Sequence, residues 1–173
     1  LDPVPEPNYT YPEGRWFTGT AWGRSYMRKE YPENTDLMNE YFNPITRWTD
    51  AAQNDFASRA DWCVTSYKEA NHPPVVKLAN ALDITAKPGD KIKLSAKGTS
   101  DPDGDKLSYS WWQYKEAGSY PANVTIENST ALEASFTVPS NAKQGQSIHV
   151  VCELKDSGSP QLTRYQRVII KIK

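Results

Sequence analysis

The sequence predicts a mainly β chain: an immunoglobulin-like antiparallel β-sandwich preceded by a helical, irregular N-terminal segment. Two observations support this prediction. Short apolar–polar alternations recur from residue 75 to the C-terminus, separated by clusters of Gly, Pro, Asp and Asn. Upstream of residue 71 the pattern differs, and one stretch has helical periodicity. About seven strands at this spacing fit a sandwich of two sheets.

The upstream segment, residues 1–70, is rich in aromatic residues, Asn, Glu and Pro. Leu1 to Gly14 reads as extended coil, residues 34–42 as a short helix, and residues 50–69 as the clearest helix. The predicted helix carries one apolar stripe at intervals of three or four residues, formed by Ala52, Phe56, Ala60, Cys63 and Tyr67. His72-Pro73-Pro74 then ends the helical region, so we place a domain boundary at residue 71.

Residues 71–173 switch to a period of two, which is typical of half-buried strands. Edge-strand pieces are predicted at residues 75–78 and 82–86. Later strands are marked by apolar residues that alternate with polar ones: Ile92, Leu94 and Ala96; Val124 and Ile126; Leu132, Ala134, Phe136 and Val138; Ile148, Val150, Cys152 and Leu154; Val168, Ile170 and Ile172.

The strand with the most specific pattern lies in DPDGDKLSYSWWQY, residues 101–114. Successive side chains on a strand point to opposite faces, so Leu107, Tyr109 and Trp111 share one face. We predict that Trp111 anchors the core of the sandwich. Trp112 and Tyr114 then lie on the opposite face, where paired aromatic rings favour a binding or docking role.

Composition excludes several classes of function. The 173 residues carry a formal net charge of -1 with a pI of about 6.2, and no basic stripe, so nucleic acid is not an expected partner. No apolar run reaches membrane-spanning length, so a membrane is not expected either. Only 2 histidines occur, without a nucleophile elbow or a phosphate-binding loop. We therefore predict that the chain is not an enzyme.

The two cysteines, Cys63 and Cys152, are far apart and lack metal-binding spacing. A disulfide between them and two separate buried thiols both fit the sequence.

The acidic turn offers hard oxygen ligands from Asp101, Asp103 and Asp105, as a calcium loop does. The Glu that closes such a loop is missing, and Asp and Gly also form turns without a metal. We favour the plain turn and expect no metal and no cofactor.

Four stretches together resemble one bacterial family: NDFASRADWCV (54–64), NHPPVV (71–76), residues 101–120 and residues 151–168. Its members are cellulose-binding proteins with an N-terminal nucleoside-hydrolase-like domain and a C-terminal immunoglobulin- or cadherin-like sandwich. The resemblance covers about Trp48 to the end and is to the C-terminal part. It implies that residues 1–47 are the tail of the upstream domain. The aspartate cluster that such hydrolases use is not found at the start of this chain, so hydrolase activity is not expected here.

Two hypotheses of function follow. The first is a carbohydrate-binding module of a secreted or periplasmic protein, in which Trp112, Tyr114 and Tyr120 stack on cellulose or another plant polysaccharide. The second is a structural sandwich that braces the upstream hydrolase-like domain of the same polypeptide and binds no ligand. Tryptophan and tyrosine serve both roles, and the accessibility of Trp112 or Tyr120 distinguishes them.

Overall fold

The computed structural model describes residues 44–173, and the coil and short helix predicted before residue 43 lie outside them. One helix, α1, spans Thr49–Asp61. Six strands follow: β1 (Asp83–Ala86), β2 (Lys91–Ser95), β3 (Ser108–Gln113), β4 (Glu133–Thr137), β5 (Ser147–Lys155) and β6 (Thr163–Ile172). A short 3-10 helix at Lys115–Ala117 separates β3 from the segment that leads to β4. None of the helices in residues 44–173 has the length and apolar character needed to cross a membrane.

The strands form two sheets, and the predicted mainly β sandwich is confirmed. The larger sheet has the order β1-β6-β5-β3, and the smaller pairs β2 with β4. All of these pairings are antiparallel except that of β1 with β6, which is parallel. Val75 joins the fold through an isolated bridge to Ser100 rather than a full edge strand.

The core lies between the two sheets and follows the predicted alternation. In β5 the side chains of Ile148, Val150, Cys152 and Leu154 are fully buried, and β4 contributes Phe136. Trp111 is 2% exposed in the same core, and its indole N–H donates to the Ala131 carbonyl at 2.9 Å. The prediction that Trp111 anchors the sandwich is confirmed.

One predicted strand does not form. Val124 and Ile126 are half-buried against the core but lie in irregular structure, with one bridge from Glu127 to Ser135. The Gln113 side chain explains the difference, because its amide oxygen accepts from the Val124 N–H at 2.8 Å. A side chain thus satisfies the backbone donor that a neighbouring strand would otherwise pair.

The predicted helix at residues 50–69 is wrong at its C-terminal end, since α1 stops at Asp61. Turns follow, and the Trp62 indole N–H donates to the Asn71 carbonyl at 2.8 Å. The predicted apolar stripe also faces outwards: Phe56 is 75% exposed and Tyr67 is 73% exposed. The helix turns a more polar face to the sandwich, where Ser58 is buried.

Both cysteines are free thiols, so the disulfide alternative is wrong. Cys152 points into the core between the sheets, whereas Cys63 is exposed just after α1. The other alternative, two separate buried thiols, is therefore right for Cys152 and wrong for Cys63.

Candidate functional site

The three aromatic residues predicted as a binding site do not lie together. Trp112 and Tyr114 project from the outer face of the four-stranded sheet, as the alternation of β3 predicts. Tyr120 instead lies in the core between the sheets at 5% exposure, and its hydroxyl donates to Asn141 Oδ1 at 2.9 Å. Trp112 is half-buried, and Tyr114 is only 2% exposed. Of the three rings, Trp112 alone keeps part of its surface accessible.

Trp48 covers the outer face, and sequence reasoning did not single it out. Its ring centroid lies 5.7 Å from Trp112, 5.9 Å from Tyr114 and 4.9 Å from Tyr165. The contacts with Tyr114 and Tyr165 are edge-to-face, a favourable geometry for aromatic pairs. We call Trp48, Trp112, Tyr114 and Tyr165 the outer aromatic cluster. Val151 of β5 forms its fully buried floor.

The Arg47 cation packs against the outer aromatic cluster. The Arg47 guanidinium lies 5.5 Å from the Trp112 ring centroid and 5.6 Å from that of Tyr114. Arg47 also pairs with the Glu116 carboxylate, which follows β3 in the 3-10 helix. Each cation–π contact of this kind is worth about 0.5–1 kcal/mol at exposed sites and more when desolvated.

Polar groups hold two rings of the outer aromatic cluster in place. The Trp112 indole N–H donates to Glu153 Oε2 at 3.1 Å, and the Trp48 indole N–H donates to the Pro44 carbonyl at 2.8 Å. Burial, followed by the negative charges of Glu153 and Asp50, raises the pKa of the Tyr165 hydroxyl above its usual range. The Tyr165 hydroxyl therefore stays protonated near pH 7.

Helix α1 is attached to the end of the larger sheet by polar contacts. Arg164 of β6 forms an ion pair with Asp55 at 3.0 Å, and Asn54 Nδ2 donates to the Gln161 carbonyl at 2.9 Å. Burial acts to raise the pKa of Asp55, but hydrogen bonds from Arg59 and Arg164 hold it below its usual value. The carboxylate is thus charged when the helix is docked.

A second aromatic contact joins the loop after α1 to the acidic turn. The His72 ring stacks on Trp62 at 5.7 Å and packs against Tyr67 at 4.0 Å. Its backbone N–H donates to Asp103 Oδ2 at 2.6 Å, and its Nδ1 lies 3.0 Å from Asp103 Oδ1. The predicted linker histidine therefore serves as a structural contact.

The acidic turn brings carboxylate oxygens of Asp101, Asp103 and Asp105 within 4.8 Å of one another. Protein donors use some of these oxygens: Asp101 Oδ1 accepts from the backbone N–H groups of Asp103 and Asp105, and Asp105 Oδ1 accepts from the Ser157 hydroxyl. The other carboxylate oxygen of Asp101, Oδ2, is buried and has no hydrogen-bond partner among the described residues. Hydrogen bonds from an Asp side chain to nearby backbone N–H groups are typical of a turn.

His149 is the other histidine, and it lies on the outer face of β5 at 4% exposure. Burial, with the positive charge of Arg167 as the next cause, lowers the pKa of His149 to about 4. The imidazole is therefore neutral near pH 7, and it lies among buried side chains rather than in an open cleft.

Sequence reasoning missed Trp48, Arg47 and Tyr165. Tyr165 and Arg167 share one face of β6 by simple alternation, so this strand did carry a usable signal. Trp48 and Arg47 precede α1, where no periodicity marks them, and only tertiary contacts assign their role.

Comparisons with known proteins agree with this architecture. A family model described as "Cellulose-binding protein Sde0182, C-terminal domain" matches residues 91–172. A solved structure of a nucleoside hydrolase-related hypothetical protein from Saccharophagus degradans, associated with carbohydrate metabolism, is 44% identical with a TM-score of 0.71. That match covers 75% of this chain and 33% of the S. degradans protein, so the chain spans about a third of that protein's length. The predicted resemblance is confirmed.

More distant structures were also found. The PKD domain from KIAA 1837 protein is 23% identical with a TM-score of 0.39, covering 57% of this chain and 86% of that domain. An endo-fucoidan hydrolase of glycoside hydrolase family 107 is 18% identical with a TM-score of 0.36, covering 58% of this chain and 13% of the hydrolase. No curated protein sequence matches the chain.

Proposed function

We propose that this chain is a non-catalytic accessory module of an exported, secreted or periplasmic, carbohydrate-associated protein. Residues 71–173 form its sandwich, and residues 1–70 connect the sandwich to a hydrolase-like domain upstream in the same polypeptide. The sandwich braces that domain by holding α1 in a fixed position. The observation that carries this proposal is the placement of Trp48 on Trp112, Tyr114 and Tyr165.

The energetics of the contact support a brace. Domains in one chain move relative to each other by default unless a sizeable apolar interface restrains them. Here an aromatic cluster, a cation over its rings and the Asp55–Arg164 ion pair all attach the segment from Arg47 to Asp55 to the sandwich. Each aromatic pair contributes about 0.5–1.5 kcal/mol beyond its buried area. Together they favour one orientation of α1.

The histidines support a role without catalysis. His72 is held between two aromatic rings and Asp103, and His149 is buried and neutral. Neither imidazole lies at an open cleft of the described residues where it could reach a proton of a substrate, which is what general acid–base catalysis requires.

Limited proteolysis with trypsin tests the brace. Arg59 of α1 has an exposed side chain, but cleavage after it requires the helix to open. We expect Trp48→Ala to speed this cleavage about tenfold, because the helix loses its main anchor. Phe56→Ala is the matched control, since Phe56 is an aromatic residue of the same helix that faces outwards. Equal cleavage of Trp48→Ala and wild type would exclude the brace.

A second candidate function is direct binding of cellulose or another polysaccharide. Two findings favour it: the description of the matching family, and the part of the Trp112 ring that stays accessible. In this proposal Trp112 contacts the sugar first. Tyr114 and Tyr120, which are buried, would contribute only if their covers moved.

Retention on insoluble cellulose, xylan and chitin tests the second candidate. If the candidate holds, wild type is retained, and Trp112→Ala loses most of that retention while keeping its circular dichroism spectrum. Tyr67→Ala is the control, because Tyr67 is an exposed aromatic residue outside the outer aromatic cluster. Equal retention of wild type and Trp112→Ala would show that Trp112 does not bind the polysaccharide.

A further inference from the structure

Helix α1 and the turn before it expose large apolar side chains to solvent. Ile45 is 58% exposed and Phe56 is 75% exposed. With Ala52 between them they border an open groove of about 570 Å³, which is lined by Ile45, Trp48, Thr49, Ala52, Gln53 and Phe56. We call this groove the outer groove.

The orientation of α1 is the reverse of that of an ordinary surface helix. Such a helix buries its apolar stripe and exposes its polar one. Here Asn54 and Asp55 face the sandwich through hydrogen bonds and an ion pair, while Phe56 faces solvent. An exposed large aromatic beside further apolar side chains is a typical mark of an interaction surface.

The length of a related protein points to what occupies the outer groove. The matching family model is a C-terminal domain, and the S. degradans protein is about three times as long as the part that matches, since only 33% of it is covered. The remainder of a protein of this kind therefore precedes the sandwich. In the sequence α1 precedes every strand of the sandwich, so it lies between the sandwich and the N-terminal part of the polypeptide.

We propose that the outer groove is the docking surface for the domain upstream in the same polypeptide, and that Phe56 inserts into an apolar patch on that domain. This inference rests on the proposed bracing function and names the surface through which the brace acts. Trp48 and Asp55 then attach the helix to the sandwich, and the exposed side of α1 that carries Phe56 binds the upstream domain. The helix becomes a rigid joint between the two.

Thiol labelling tests the proposal. In a Cys63→Ser background, Gln53→Cys places a reporter in the outer groove, and Lys93→Cys places a control on the exposed face of β2. Cys152 is buried and does not compete for the reagent. Maleimide labelling rates are compared between the 173-residue chain and a longer polypeptide that includes the native upstream domain.

We expect the reporter at position 53 to react at least tenfold more slowly in the longer polypeptide, with no change at position 93. Adding Phe56→Glu should restore fast labelling at position 53. Equal rates at position 53 in both polypeptides would overturn the proposal. Slow labelling of position 53 in the 173-residue chain itself would also overturn it. If that slow rate depended on protein concentration, a second copy of the chain would occupy the groove. If it did not, residues 1–43 would occupy it.

Trypsin cleavage after Arg59 in the same samples separates the two proposals. If wild type is cleaved more slowly than Trp48→Ala while position 53 is labelled equally fast in both polypeptides, the docking surface is overturned and the brace remains. Fast cleavage in both polypeptides overturns the brace, and the docking surface with it.

Discussion

Trp111 and Trp112 are neighbours in the chain, and their indoles serve opposite faces of one sheet. Trp111 fills the core and donates to a backbone carbonyl, while Trp112 contributes to the outer aromatic cluster. The alternation of a strand was enough to predict both directions. It was not enough to predict what would cover Trp112, because the covering residue, Trp48, is distant in sequence. Tyr120 shows the same limit, since no periodicity marks it as a core residue.

The two thiols should differ sharply in reactivity. Cys63 is exposed, whereas burial raises the pKa of the Cys152 thiol to about 12. The thiolate is the reactive form, so only Cys63 should react in the folded chain. Titration with an aromatic disulfide reagent at pH 8 should detect one thiol per folded chain and two after unfolding. Two fast thiols in the folded chain would contradict the position of Cys152 in the core.

His149 should make stability depend on pH. Its folded-state pKa of about 4 lies below the ordinary value of 6.5, so the unfolded chain binds the proton more readily. The stabilising contribution is complete above pH 6.5 and is lost as the pH falls through the window down to 4. The free energy of unfolding should drop by at most about 3 kcal/mol in that window.

Urea denaturation between pH 7 and pH 4 measures this effect. His149→Gln should reduce the loss of unfolding free energy between pH 6.5 and pH 4. An unchanged pH profile in His149→Gln would show that the imidazole is solvated in the folded chain.

At the scale of single elements, α1 is the one whose orientation and C-terminal end the sequence did not predict. Periodicity identified a helix with an apolar stripe, and a helix does span Thr49–Asp61. Periodicity cannot say which neighbour covers the stripe, and here the sandwich packs against the other face. The helix ends early because Trp62 bonds to Asn71 and stacks on His72, and these tertiary contacts are stronger than local helical preference.

The Asp55–Arg164 ion pair should couple α1 to β6. A double-mutant cycle with Asp55→Ala and Arg164→Ala is expected to give a coupling free energy of about 0.5–1 kcal/mol. Arg59→Ala supplies the control, because Arg59 bonds the same carboxylate from a largely exposed position within the helix. Its coupling to Asp55 should be smaller, about 0.3–0.5 kcal/mol. Equal coupling in both cycles would mean that the helix is not anchored through Arg164.

At the scale of the whole described chain, residues 44–173 form a sandwich and a short helix, which Trp48 and the Asp55–Arg164 ion pair attach to the larger sheet. The alternating pattern from residue 75 onward predicted the sandwich, since core positions on strands have a period of two. The position of the helix depends on contacts between residues more than sixty positions apart, such as Trp48 with Trp112 and Tyr114. These contacts bury Tyr114 and leave part of Trp112 accessible, so both proposed functions depend on this face.

The decisive measurement of whether the outer aromatic cluster holds the helix is native-state hydrogen exchange of the α1 amides in wild type and Trp112→Ala. We expect the amides of residues 49–61 to be protected in wild type and to exchange at least tenfold faster in Trp112→Ala. Amides of β2 and β4, which lie in the other sheet, should keep their protection. If the α1 amides exchange freely in wild type, or equally in both proteins, the outer aromatic cluster does not hold the helix and the bracing role is contradicted.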